Sequence, residues 1–218
     1  MLKLYTYYQS VAAHRVRIAL NYKGAPYQSI FIDMDHSEHL GEQYLHLNPE
    51  GLVPALIVND DLVITQSSAI LEYIEERYPE RPLLPQDREL RGRIRSLAQL
   101  FIADMQPMNV MRVYKYMQDE MGVDYDKRRA WYEHWMSFGF KAVESLLANK
   151  DDTGAFCFGD KPTLADVCLV PQVWNASKYG IDLSAYPTVR RIYRTCQTLS
   201  AFQAGAPETQ ADLLAQSS

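Results

Sequence analysis

LNPEGLVPALIVNDDLVITQSSAILEYIEERY, residues 47–78, holds two short β-branched runs and then a helix-spaced stretch. The runs are residues 53–58 and 62–65, and Asn59, Asp60 and Asp61 form a turn cluster between them. Two such runs across a short polar turn predict a β-hairpin. Gln66, Ser67 and Ser68 follow, and residues 69–77 carry apolar side chains at helical spacing. Ser67 reads as the N-cap, its hydroxyl satisfying an orphan backbone N–H. The other N–H groups of that first turn suit a carboxylate. Proline cannot donate to a ladder, so Pro54 belongs at a strand start or a turn. A trans Val53–Pro54 bond is the commoner case. A cis bond would turn the N–H and C=O of Val53 sideways, where an extended peptide could pair with them.

Working outward, residues 2–7 alternate as a strand, and residues 14–23 are helical and stopped by Gly24. Residues 27–33 form a second strand, and 39–47 a short irregular helix. The order β-α-β-α-β-β-α within residues 1–79 predicts a small mixed sheet with helices on its faces. Three prolines at 79, 82 and 85 mark a linker over 80–87. Beyond it strand signals nearly vanish. Helices are expected over 88–105, 109–122, 130–148, 163–179 and 188–201, making residues 88–218 an all-α domain. Arg88, Arg91, Arg93 and Arg95 read as a solvated or dimer-facing helix surface. Thr163 and Asp166 stand at the N-cap and N3 positions of a capping box with Asp for the commoner Glu or Gln. That spacing makes Asp166 structural rather than a catalytic acid.

The 218 residues carry a net charge of −5 and 47% hydrophobic side chains. With no basic run, nucleic acid is an unsuitable partner. No apolar stretch is long enough to span a bilayer. The N-terminus lacks the apolar core of a signal peptide, so a cytoplasmic location is expected. Cys157, Cys168 and Cys196 form no CxxC pair and read as reduced, buried thiols. His36 and His39 lie close without a ligand set, so no metal is expected and a solvated loop is.

This order, with Val53-Pro54 ahead of a hairpin strand and an all-α second half, resembles the glutathione S-transferase family. Its first half is thioredoxin-like. Ser10-Val-Ala-Ala-His-Arg-Val-Arg-Ile-Ala-Leu20 is similar to the serine-rich loop of the zeta class, which includes maleylacetoacetate and maleylpyruvate isomerases. Leu83 to Asp87, Gln106-Pro107 and Asp166 to Gln172 also look like that class. There are departures. The loop keeps only Ser10, with Ala12 at the place of the class cysteine. Lys178 stands where the family has a substrate-side arginine, keeping the charge without the bidentate fork.

The resemblance implies glutathione as cofactor and a dicarboxylate keto acid as substrate. Ser10 would hydrogen-bond the glutathione thiolate, helped by the dipole of the helix that follows. The backbone at Ala12 offers further donors, as does that at Ala13. Cis Pro54 would present Val53 to the glutathione backbone. Gln66 and Ser67 would hold the γ-glutamyl group, His39 would lie near the glycyl end, and Gln106 would contact the cofactor. Arg15, Arg112 and Lys178 would meet the substrate's negative charge. His14 would orient the loop or be solvated. The implied activity is glutathione-dependent cis-trans isomerisation, of maleylacetoacetate first and maleylpyruvate second, by a homodimer. A general glutathione transferase, an α-halo acid dehalogenase and a non-catalytic glutathione-binding protein are the other readings.

Overall fold

The computed structural model describes residues 1–59 and 62–211. Asp60 and Asp61 of the expected turn lie outside them. The chain forms two compact units, one of Met1–Leu83 with the segment from Gln197 onward, the other of Leu84–Cys196.

In the first unit, β1 (Leu2–Thr6) pairs in parallel with β2 (Tyr27–Phe31) and antiparallel with β3 (Ala55–Asn59). β3 pairs antiparallel with β4 (Leu62–Thr65), giving the order β2-β1-β3-β4. This is the mixed sheet expected from the hairpin and the β-α-β start. α1 (Val11–Lys23) begins three residues before the expected start because Ser10, not a later residue, caps it. Gly24 ends it at φ 67°, a left-handed conformation that glycine adopts without a Cβ penalty. The irregular helix resolves into a 3-10 turn, Glu38–Leu40, and α2 (Glu42–Leu47). α3 is Ser67–Arg77.

α1 packs against α3 and against α9 (Ser200–Gly205) and is buried on nearly every side. Val16, Ile18, Ala19 and Leu20 are fully buried, and so are Arg15 and Arg17. At the C-terminal ends of the two helices, Lys23 pairs with Glu75 and donates to the Tyr78 carbonyl at 2.8 Å. The Glu75 carboxylate also accepts from the Leu83 N–H. A buried charge is tolerated where such partners surround it.

The second unit is helical: α4 (Arg88–Gln99), α5 (Met111–Asp119), α6 (Tyr125–Leu147), α7 (Leu164–Lys178) and α8 (Pro187–Gln197). α7 runs through its core, with Val167, Cys168, Leu169 and Val170 fully buried. Its capping box is formed as expected. All three cysteines are buried, and none is in a disulfide.

The differences from expectation have local causes. The helix over 88–105 changes to a π-helical turn at Leu100–Met105, where the Gln106 N–H reaches back to the Phe101 carbonyl. α6 starts at Tyr125 because Asp124 caps it, accepting from the Lys127 N–H. Gly139 of α6 lets Met105 come close, since a Cβ there would lie 2.4 Å from the Met105 side chain. The helix over 188–201 is two helices, parted at an extended Leu199. α8 buries Val189, Ile192 and Cys196, whereas α9 buries Phe202 and Gly205 as part of the first unit. The described residues from Gln197 to 211 therefore group with the first unit, whereas residues 88–218 were ascribed to the helical half. Two of the α4 arginines have partners within their own unit. Arg93 pairs with Asp152 and lies 5.4 Å from the Phe158 ring centroid, and Arg91 donates to the Pro85 carbonyl.

Candidate functional site

The turn between β1 and α1 brings Tyr7, Tyr8, Gln9 and Ser10 together. Ser10 has extended backbone angles, and its Oγ accepts from the Ala13 N–H at 3.1 Å. A hydroxyl has one proton to donate besides its two lone pairs. Capping through oxygen therefore leaves the Ser10 O–H for a second partner. Of the loop N–H groups named as alternative donors, that of Ala13 is engaged by Ser10. Those of Val11 and Ala12, in the first turn, have no intrahelical acceptor. Tyr7 donates to Asp35 at 2.8 Å, which with burial keeps the phenol protonated.

Val53–Pro54 is a cis peptide bond. Tyr44 Oη and Asn48 Nδ2 both donate to the Leu52 carbonyl, at 2.6 and 2.8 Å, and so fix the backbone just before Val53. Val53 packs with Tyr7, Tyr8, Ile32 and Tyr44.

At the start of α3 one expectation is corrected. Gln66, not Ser67, occupies the N-cap position, and Ser67 is the first helical residue. Gln66 has φ 64°, a region that disfavours side chains with a Cβ. Such conformations persist where the surroundings enforce them and gather at functional sites. Here the Gln66 amide donates to both oxygens of Glu50, at 2.8 and 3.0 Å. The result is a carboxylate beside a helix N-terminus, a pairing that suits a group with both an ammonium and a carboxylate.

Arg15 also needs correction. It was expected to face a substrate, but it is fully buried, and its Nη1 donates to Ser67 Oγ at 3.1 Å. α1 is covered on the side where Arg15 lies, so the arginine acts on Ser67 from behind. His14 is likewise buried, which ends the solvated reading. Desolvation, with Arg17 and Arg15 adding to it, holds its imidazole well below the ordinary range. The folded state keeps His14 neutral, while the unfolded chain takes up a proton near pH ~6.5. Stability should therefore fall as pH drops below that point, by up to about 1.4 kcal/mol per pH unit from this residue. Urea unfolding at pH 7 and pH 5 measures the slope, which should shrink in His14→Leu. Equal slopes would assign the effect to other groups.

His36 is exposed and pairs with Asp33, which raises its pKa. His39 is half-buried in the 3-10 turn.

In the second unit, Gln106 follows the π-helical turn and is half-buried. Arg112 lies on α5 and lines an apolar groove with Val113, Tyr116, Met117, Met121 and Trp131. Lys178 ends α7, its Nζ 5.6 Å from the ring centroids of both Trp174 and Tyr179. Lys178 does not line the Arg112 groove.

Sequence reasoning missed Glu50, Tyr44, Asn48 and Arg17. Only Arg17 had a signal: a second arginine two residues after Arg15, set among Val16, Ile18, Ala19 and Leu20.

Comparison with known proteins bears on all of this. Residues 1–76 match the model of the glutathione S-transferase N-terminal domain, and residues 138–195 that of the C-terminal domain. The maleylacetoacetate isomerase of Pseudomonas aeruginosa is 42% identical, over 97% of this chain and 98% of its own length. The holo structure of a bacterial zeta-class maleylpyruvate isomerase superposes with a TM-score of 0.93 at 43% identity, covering 96% of this chain and 99% of that one. The maleylacetoacetate isomerase of Methylobacterium extorquens AM1, solved with malonate and glutathione bound, gives a TM-score of 0.92 at 39% identity over 95% and 97%.

Proposed function

This chain belongs to the zeta class of the glutathione S-transferase family, and from that premise we propose that it is a glutathione-dependent isomerase of maleyl keto acids. The observation that carries the reading is the Ser10 turn, where one hydroxyl both caps a helix and keeps a proton for sulfur. Glutathione, when bound, supplies the thiolate that adds to the cis double bond, lets it rotate and leaves again.

The chain's own residues do the rest. A free thiol titrates near ~8.5, and a hydrogen bond from Ser10 with the N-terminal dipole of α1 favours the thiolate. Val53, set by cis Pro54, pairs with the cofactor's peptide backbone, and the Ala12 N–H adds a donor. Gln66 and Ser67 receive the γ-glutamyl carboxylate, and Glu50, bonded to Gln66, is the carboxylate for its ammonium. The Arg15 guanidinium holds Ser67 in place for that contact. His39 and Gln106 make outer contacts to glutathione. Arg112 and Lys178 are the cations for the substrate's carboxylates and developing enolate.

Residues 1–79 bind glutathione in this reading, residues 80–87 link, and the helices after 88 shape the substrate pocket. The molecule works as a homodimer in the cytoplasm. Among the described residues no helix is long and apolar enough to cross a membrane. Maleylacetoacetate is the first choice of substrate and maleylpyruvate the second, and relatives of both kinds are about equally similar to this chain.

The test is the loss of ultraviolet absorbance from maleylacetone with and without glutathione. Turnover that requires glutathione is the expected result. Glutathione binding without turnover on maleylacetone or maleylpyruvate would overturn the isomerase reading and leave the transferase, dehalogenase and pure binding readings.

A further inference from the structure

Arg17 is fully buried, and its guanidinium bridges the turn after β1 and the end of α9. Nη1 donates to Thr6 Oγ1 at 2.9 Å and to the Tyr7 carbonyl at 3.2 Å. Nη2 donates to the Tyr8 carbonyl at 3.1 Å. Nε donates to the Gly205 carbonyl at 2.9 Å. The first three acceptors are the end of β1 and the two residues that lead toward Ser10. The Tyr7 carbonyl accepts from the Ser10 N–H as well, at 3.1 Å. A single oxygen thus separates the guanidinium from the Ser10 backbone.

The fourth acceptor lies near the end of the chain. The last carbonyls of a helix have no intrahelical partner. Around the end of α9, the single hydroxyl proton of Thr209 has the carbonyls of Gln203, Ala204 and Ala206 within reach, and Gln210 Nε2 donates to those of Ala204 and Ala206. The Gly205 carbonyl goes to Arg17. A Cβ on Gly205 would lie 2.9 Å from both the backbone nitrogen and Cγ1 of Ile18, so only glycine permits this approach to α1. A planar guanidinium with fixed donor directions transmits the position of α9 to the turn; a lysine ammonium, with freely rotating donors, would not.

We propose that Arg17 is a positioning residue for Ser10, and that the Gly205 turn is its anchor, so that the C-terminal segment sets the hydrogen bond from Ser10 to the glutathione sulfur. The proposal rests on the glutathione reading above. Arg17 touches neither cofactor nor substrate in it.

The experiment compares wild type, Arg17→Lys and Gly205→Ala in three readouts. Titrating the ultraviolet thiolate band of bound glutathione gives the thiol pKa, which should rise by about one unit in both variants, a tenfold loss of thiolate below it. Turnover should fall by a similar factor at neutral pH and recover at high pH, with the KM for glutathione changed less than about twofold. Hydrogen exchange of the Ser10 amide, without ligand, should quicken in both variants while amides of β3 keep their protection. If Arg17→Lys and Gly205→Ala lower the melting temperature but leave thiol pKa, pH profile and Ser10 exchange as in wild type, Arg17 is only structural and the proposal is overturned. If wild type itself forms no bound thiolate, the glutathione reading fails. Ser10 exchange unchanged in the variants would then overturn the clamp as well, and faster exchange would support its structural half.

Discussion

Asp166→Ala should cost about 3–5 kcal/mol of unfolding free energy, a large part of the 5–15 kcal/mol that holds most domains together. The carboxylate is fully buried and carries three contacts. Oδ1 accepts from the Cys157 N–H at 2.8 Å, and Oδ2 accepts from the N–H and the hydroxyl of Thr163 at 2.8 and 2.7 Å. Burial raises its pKa, and those same donors pull it back. Alanine leaves two backbone N–H groups without acceptors in a dry interior, at about 1–3 kcal/mol each, and unties the start of α7. Asp166→Asn keeps one acceptor oxygen and should lose roughly half as much. Urea unfolding of the three proteins measures this. A loss under about 1 kcal/mol for alanine would mean that water or a rearranged loop takes up the orphan donors.

Asp166 was legible in the sequence because the capping box is local: two residues three apart explain each other. The hairpin, the Gly24 stop and the order of strands and helices were legible for the same reason. Pattern within a dozen residues set them. Arg15 was misread because charge usually marks a surface, and nothing nearby signals that α1 is covered by both α3 and α9. Ser67 was misread as the cap because serine is the better capping residue. The contact between Gln66 and Glu50 holds Gln66 at that position instead, across sixteen residues. The split of the helix over 188–201 escaped notice because no glycine or proline marks the break at Leu199. What divides them is which unit each apolar face enters, and a single helix window does not carry that.

Ser10→Ala should cut turnover at neutral pH about tenfold to a hundredfold, the largest loss expected from one hydroxyl here. The serine has two roles, and they respond to different measurements. As the cap of α1 its oxygen accepts from Ala13, and losing that acceptor should destabilise the protein by about 1 kcal/mol. As donor to sulfur it favours the charged form of the thiol, so losing it raises the pKa of bound glutathione by one to two units, at about 1.4 kcal/mol each. The sign follows: below the new pKa the thiolate fraction falls tenfold per unit, and above it the variant should catch up with wild type. Ser10→Thr keeps oxygen and proton and should behave nearly as wild type in both readouts. Rate profiles over pH with glutathione saturating separate the cases. A profile for Ser10→Ala that matches wild type would move the sulfur contact to the N–H groups of Val11 and Ala12, and would leave Ser10 as a helix cap. A uniform loss that no pH restores would place the hydroxyl on the substrate instead.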